Sequence, residues 1–354
     1  MDEVRRTYFH DIKVVSRLSN LPWDKLSGKN ILITGATGLI GGCLVDILMN
    51  RENLDFHVYA SGRNLIRAER RFCKYKQSKF FHFIEMDVTE KLRSTISFHY
   101  ILSCASGANP LVYSQRPVDT MMANILGVDN LIRYGIDNNL EKFVYVSSGD
   151  VYGEGDGRVF TEDYSGYVNP MVLRSCYPSA KRASESLCVS YAAQYAVDIN
   201  VVRPCHIYGP GFTESDSRAY AQFLRNAVAG KDIILKSSGT QLRSWCYVVD
   251  CASAILHVAL LGISGEAYNI ADNDSNLSIK EFAETVASAA GAKVMFDVPN
   301  KAEVKGFNTV TQSLFDTKKI EALGWLPISN FKDNICVTID YLLHNEDNDV
   351  ADDF

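Results

Sequence analysis

The stretch "NILITGATGLIGGCLVDILMN" (Asn30–Asn50) changes character in its middle. Its opening, "NILITG", is an apolar run of the length expected for a buried strand. The part from Leu39 onward continues as an apolar helix. Between the two stand Gly35, Gly38 and Gly41, three residues apart. Glycine lets the chain turn tightly and approach a pyrophosphate, whose charge is then stabilised at the start of a helix. A lone glycine-rich turn could be an ordinary connection. Placed between a strand and a helix at the start of a βαβ series, it reads as a dinucleotide-binding turn, with Thr37, Leu39 and Ile40 sharing the contact surface.

That series follows. "HVYASG", "FFHFIEMD", "YILSCAS", "FVYVSS" and "DINVVRP" are short apolar runs ending at Gly62, Asp87, Ser106, Ser148 and Pro204. Helical stretches such as Pro117–Tyr134 and Tyr177–Tyr195 separate several of them. Apolar strands alternating with helices imply an α/β protein with a Rossmann-type doubly wound parallel sheet, covered on both faces. After Pro204 the pattern loosens into short strands ("IILK", "EAYNIA", "VMFDVP"), helices and polar loops. We therefore expect a smaller, mixed α/β C-terminal substrate domain. The expected limits are an N-terminal helical extension (1–28), a dinucleotide-binding domain (29–205, with 244–262 returning to it), a substrate domain (206–243 and 263–345) and an acidic tail (346–354).

Composition narrows the function. The 354 residues carry 36 basic and 42 acidic side chains, a net charge of −6, with no basic arm. Nucleic acid is therefore not an expected partner. Nine cysteines are scattered without a C-x-x-C pair or a Cys/His cluster at metal-ligand spacing, which implies reduced thiols, no metal site and a cytoplasmic setting. No segment has the length and apolarity of a membrane span.

Strand ends at the carboxyl edge of a parallel sheet are where ligands bind. At the second strand an acid would hold a ribose 2′-hydroxyl and mark NAD. Here "YASGRN" offers none, and Arg63 suits a 2′-phosphate and hence NADP. Asp87, ending the third strand, is placed to accept from an adenine amino group. Ser147 and Ser148 end the fifth. On the next helix Tyr177 and Lys181 are four residues apart and share one face. A glycine turn, a strand-end serine and a Y-x-x-x-K helix, in this order, are far more specific together than singly.

From about Lys29 to Pro327 the chain resembles the extended short-chain dehydrogenase/reductase family, and within it the nucleotide-sugar epimerases, dehydratases and decarboxylases. The resemblance rests on "TGATGLIG", "SSGDVYG", "YPSAK", "VVRPCHIYGPG", "SSGTQLRSWCYVVD" and "LGWLP". The segments "RSCYPSAKRASESLC" and "GTQLRSWCYVVD" are most similar to UDP-glucuronate decarboxylases. It implies that Tyr177 is the acid or base at a sugar hydroxyl, that Lys181 lowers its pKa and holds the nicotinamide ribose, and that Ser148 hydrogen-bonds the reacting oxygen. Val88, Ala105 and Pro204 would border the dinucleotide; His206, Arg218 and Arg243 would meet a nucleotide-diphosphate sugar. Asn124 would support the active-site backbone. The resemblance favours NAD, against the hint from Arg63, so both cofactors stand. It also implies a homodimer built on the helices after strands four and five.

The resemblance leaves the reaction open. Dehydratases of the group carry Asp-Glu, and decarboxylases Ser-Glu, where this chain has Gly149-Asp150. Dehydration needs two positioned proton-transfer groups, so a 4-epimerase is expected first. A 4-ketoreductase, and a decarboxylase or 4,6-dehydratase using Asp150, are the alternatives. Many relatives also place an arginine where Thr311, Gln312 and Ser313 stand, which shifts diphosphate binding toward Arg243, Arg218 and Arg225. A non-catalytic dinucleotide sensor is the competing reading from another class.

Overall fold

The computed structural model describes residues 6–297 and 311–344. Its strands are β1 (Asn30–Thr34), β2 (His57–Gly62), β3 (Phe81–Glu85), β4 (Tyr100–Ser103), β5 (Lys142–Val146), β6 (Ile199–Pro204), β7 (His206–Tyr208), β8 (Ile233–Leu235), β9 (Leu242–Tyr247), β10 (Ala267–Ile270), β11 (Asp272–Ser278), β12 (Val294–Phe296) and β13 (Gln312–Ser313). Seven of them form one sheet in the order β10-β6-β5-β4-β1-β2-β3, and every neighbouring pair is parallel. The chain winds outward from β1 in both directions, so the order reverses between β1 and β4. That reversal opens a crevice at the carboxyl edge, the usual ligand position of a doubly wound sheet.

Both faces of this sheet are covered. Helices Leu39–Met49 and Val248–Leu261 pack together on one face, and Pro117–Asp137 and Cys176–Tyr195 on the other. Val248–Leu261 is buried along nearly its whole length, as a helix between a sheet and a second helix layer must be. Within the 244–262 segment, "SWCY" completes β9 at Tyr247, and the helix starts at Val248.

One expectation about the smaller unit changes. "EAYNIA" supplies β10, the edge strand of the main sheet, parallel to β6 with Ala267 opposite Val201. Three of its four residues are buried, and a short apolar run finds that burial more readily at a large sheet than in a loose lobe. β9 lies between β11 and β13 and also pairs with β7. β8 pairs with β12 in a separate two-stranded ribbon.

The N-terminal extension is a helix, Tyr8–Ser16, followed by a 3₁₀ turn at Trp23–Leu26. It is fastened by buried polar contacts. Tyr8 donates to Asp46 at 2.8 Å, and Arg6 donates to Ser329 Oγ at 2.6 Å and to Asn334 Oδ1 at 2.7 Å. No helix among the described residues is long and apolar enough to cross a membrane. The acidic tail lies outside the described residues.

Candidate active site

A cleft of about 970 Å³ runs along the carboxyl edge of the sheet. The glycine turn, at the end of β1, stands between the ends of β2 and β3 on one side and Ser148, Tyr177 and Lys181 on the other. Gly35, Thr37, Gly38, Leu39, Ile40, Gly41, Arg63, Asp87, Val88, Ala105, Pro204 and Arg218 all line it. The glycines are needed for different reasons. Gly35 has φ of +62°, and a Cβ there would lie 2.8 Å from Ala105 Cα. Gly41 has helical backbone, but its Cβ would lie 2.5 Å from the Gly35 carbonyl oxygen. The turn therefore closes only on bare backbone. This cradle, continuous with a cleft of that size, fits a dinucleotide.

At the far side of the turn, Ser61, Gly62, Arg63, Asn64 and Arg67 face the cleft. Asp87 accepts from the Thr89 amide at 2.9 Å and its hydroxyl at 2.8 Å. Burial works against its charge, but these bonds and the Arg63 charge outweigh it and hold the carboxyl below the ordinary range.

At the other end the backbone of β5 runs out at Val146. Lys181 is buried, and its Nζ donates to the Val146 carbonyl at 2.8 Å. Burial draws its pKa down to about 7. Burial, and then the Asp150 charge, push Tyr177 up to about 12, against hydrogen bonds from Ser148 and Tyr113 and the charge of Arg218. The Tyr113 ring stacks on Tyr177 with centroids 4.5 Å apart and planes 17° apart. Ser148 also accepts from the Asp150 amide at 3.2 Å, which fixes the start of the following turn.

A buried network stands behind these groups. Ser147 donates to Glu185 Oε1 at 2.5 Å. Arg203 grips the same carboxylate with two bonds, of 3.1 and 2.7 Å, and reaches the Tyr152 hydroxyl at 3.1 Å. One ion pair thus ties the helix of Tyr177 to β6 and to the 149–152 turn. Asn124 accepts from Tyr145 at 3.1 Å and donates to the Thr120 carbonyl at 2.8 Å, linking β5 to the neighbouring helix.

Three anticipated residues lie off the cleft wall. His206 alternates with Cys205 and Ile207, which do line it, so its ring points the other way along the strand. The ring packs on Trp245 at 5.3 Å. Burial, then the charges of Arg243, Arg218 and Arg174, lower its pKa to about 3, so it is neutral. Arg243 is buried, and its Nη1 donates to the Leu242 carbonyl at 2.7 Å. Burial lowers its pKa, with Asp150 opposing. Asp150 itself lies 3.9 Å from Arg174.

Of the other cations considered, Arg218 forms a two-pronged pair with Asp216 at 2.9 and 2.6 Å. Arg225 uses one nitrogen on the carbonyls of Thr213, Glu214 and Asp216. It staples the 213–216 loop, which removes it from the diphosphate grip expected of it. β13, where the resemblance leads one to expect an arginine, pairs beside β9 with Ser313 opposite Arg243. Tyr113, Arg174, Glu185 and Arg203 were not anticipated. Glu185 alone had a visible cue, one helical turn beyond Lys181.

A parallel doubly wound sheet with this glycine turn and a Y-x-x-x-K helix at its carboxyl edge defines a dinucleotide-dependent protein of the short-chain dehydrogenase/reductase type. The model of the "NAD dependent epimerase/dehydratase family" matches residues 31–271, and the chain belongs to that family. It is 32% identical to UDP-glucuronic acid decarboxylase 6 of Arabidopsis thaliana, over 85% of each chain. It is 28% identical to UDP-glucuronic acid decarboxylase 1 of Xenopus tropicalis, over 88% of this chain and 72% of that one. Among solved structures it resembles a dTDP-glucose 4,6-dehydratase from Streptomyces venezuelae with NAD and TYD bound (TM-score 0.78, 23% identity, 90% of this chain and 98% of that one). A UDP-glucose 4-epimerase from Thermotoga maritima is similar in fold (TM-score 0.76, 21% identity, 90% and 99%).

Proposed function

We propose that this protein is an enzyme acting on a nucleotide-diphosphate sugar, with its chemistry at the sugar C4 and Tyr177 as the proton-transfer group. The observation that carries the reading is the convergence of Ser148, Tyr177 and Lys181 at one end of the cleft that the glycine turn opens. When bound, an oxidised nicotinamide dinucleotide would accept a hydride from the sugar carbon and return it, and its positive ring would favour the Tyr177 phenolate.

The remaining work belongs to the chain. Tyr177 takes the proton of the C4 hydroxyl and gives it back. Ser148 donates to the same oxygen as charge builds on it. Lys181, when protonated, stabilises the phenolate and supplies donors for a ribose. On the sugar-nucleotide side, the charges of Arg243, Arg218 and Arg174 are all felt at His206, and of these Arg218 lines the cleft, where it would meet a diphosphate. We assign this substrate to the described residues of 206–243 and 263–344, apart from β10.

Removal of one proton and one hydride from C4, rotation of the 4-keto sugar in the pocket and return of both with the hydride on the opposite face give 4-epimerisation, and this is our first reading. Gly149 offers no second acid, which disfavours dehydration. Decarboxylation is a second reading with its own support, because the curated relatives named above are UDP-glucuronic acid decarboxylases and Asp150 keeps one carboxylate in place. Incubation with a panel of UDP-, dTDP-, GDP- and CDP-sugars, followed by mass spectrometry and NMR, separates these. An unchanged mass with inverted C4 supports epimerisation; loss of carbon dioxide or water supports its competitors. No turnover of any sugar despite bound dinucleotide would favour the sensor. Exposed Val118 and Val189, on helices Pro117–Asp137 and Cys176–Tyr195, support a homodimer.

A further inference from the structure

Two segments that leave different sheets meet at Asn109. One follows β4 of the main sheet and carries the short helix Pro110–Gln115. The other follows β7, which pairs with β9 in the smaller sheet, and runs through residues 213–218. Both line the cleft. Asn109 Nδ2 donates to the Ser215 carbonyl at 2.5 Å, and Ser217 Oγ donates to Asn109 Oδ1 at 2.7 Å. These partners are 106 and 108 residues away along the chain. Asn109 also has a local task, since its Oδ1 accepts from the Leu111 amide at 3.0 Å and caps the helix. A cap needs an acceptor and nothing more. The Nδ2 donation and the bond from Ser217 are surplus to it.

What the clasp holds lies against Tyr177. On the helix side, the Asn109 carbonyl accepts from the Tyr113 amide at 3.1 Å, so Asn109 fixes the turn that presents the Tyr113 ring. On the loop side, Arg218 follows Ser217 and is gripped by Asp216 Oδ2 at 2.6 Å and by Tyr220 Oη at 2.9 Å. Arg225 staples the same loop, which makes it one rigid piece. Burial and then the Asp150 charge oppose the Tyr177 phenolate, while Ser148, the Arg218 charge and the Tyr113 hydrogen bond favour it. Lys181 Nζ lies 5.6 Å from the Tyr177 ring centroid, and Tyr145 of β5 is within electrostatic reach. Ser148, Asp150, Lys181 and Tyr145 belong to β5, the turn after it and the helix of Tyr177 itself. Tyr113 and Arg218 arrive on the two segments that Asn109 ties.

We propose that Asn109 is a positioning residue for proton transfer: by clasping the 213–218 loop to the helix Pro110–Gln115, it holds Tyr113 and Arg218 on Tyr177. The proposal rests on reading Tyr177 as the proton-transfer group. Because the clasp joins the smaller unit to the main sheet beside the reacting atoms, Tyr177 is fully equipped only while the two are closed on each other.

The test compares wild type with Asn109→Ser, which keeps a good helix cap but is too short to reach both partners, and with Ser217→Ala, which cuts the clasp from the other side. The full chain is isotope-labelled at tyrosine Cζ for NMR, and the Tyr113 and Tyr177 signals are assigned by their loss in Tyr113→Phe and Tyr177→Phe. Both signals are expected to move in Asn109→Ser and in Ser217→Ala, with melting temperatures within about 4 °C of wild type. This readout needs no substrate. With the nucleotide sugar found by the panel, groups that favour the phenolate are lost, so the rising limb of the kcat profile should shift up by about one pH unit. At neutral pH kcat should fall about 10-fold, the scale of one hydrogen bond to a charged group, with dinucleotide affinity unchanged. The double variant should be no worse than Asn109→Ser alone, because both changes open one clasp. Unmoved Cζ signals in Asn109→Ser, an unmoved limb, or losses that add would overturn the proposal. Wild-type turnover in Tyr177→Phe would overturn the reading of Tyr177, and this inference with it; an inactive Tyr177→Phe beside an unmoved limb in Asn109→Ser overturns the clasp alone.

Discussion

The Phe315 ring fills the space that a side chain at Gly149 would need: a Cβ built on Gly149 would overlap it. Phe315 is buried, edge-on to Tyr152 at 5.5 Å and to Phe160 at 5.8 Å. Gly149 has an ordinary negative φ, so space dictates the glycine. The polar group that the resemblance leads one to expect at this position is thus replaced by an aromatic wall. Gly149→Ala is expected to cost about 1–3 kcal/mol through overpacking. Adding Phe315→Leu should recover much of that loss, because the two sites share one volume. Urea denaturation of the two single variants and the double variant measures the coupling; strictly additive losses would contradict it.

Lys181 makes a stability prediction whose sign follows from its depressed pKa of about 7, against an ordinary value of 10.5. Between those values the unfolded chain binds more protons than the folded one, so this residue makes stability rise with pH from about 7 toward 10. Below pH 7 the folded protein carries the full cost of burying the charge. Lys181→Met should therefore be more stable than wild type at pH 6, with the gap closing as pH approaches 10. Denaturation midpoints across that range check it. A gap that is constant, or that widens with pH, would show that the lysine is not held this way in the free protein.

Glu185 and Arg203 make a third test. Both side chains are largely buried, at 13% and 14% exposure. Removing one partner leaves a buried charge, so Glu185→Ala is expected to destabilise by roughly 3–5 kcal/mol, while the joint change to Leu and Met should cost much less. Because Ser147 donates to Glu185, a conservative Glu185→Gln variant should lower turnover more than it weakens nucleotide binding. Stability from melts and separate binding titrations distinguish this from simple unfolding. Wild-type turnover in Glu185→Gln would remove the positioning role.

How much of this was legible in the chain follows from range. The glycine turn, Ser148, Tyr177 and Lys181 sit on local signals: a period change, a strand end, an i, i+4 pair. All of them reach the cleft. β10 was assigned to the wrong unit because a four-residue apolar run does not say which sheet will accept it. Tyr113 against Tyr177 joins residues 64 positions apart with no pattern to announce it. Phe315 over Gly149 and Arg174 beside Asp150 are of the same kind. His206 was readable in principle, since strand alternation with Cys205 and Ile207 turns it from the wall. Arg225 was not, because its three carbonyl partners belong to a loop whose course only the fold determines.

The most direct test of the central claim is a single-turnover mixture of dinucleotide-loaded protein with a nucleotide sugar deuterated at C4, using the substrate found by the panel. Absorbance of reduced nicotinamide and deuterium in the recovered nucleotide are both read. Wild type is expected to show transient reduction with deuterium on the nicotinamide. Tyr177→Phe should lower that step by ~10²–10⁴-fold with dinucleotide affinity little changed. Near wild-type reduction in Tyr177→Phe, or wild-type turnover with no deuterium transfer, would contradict the account.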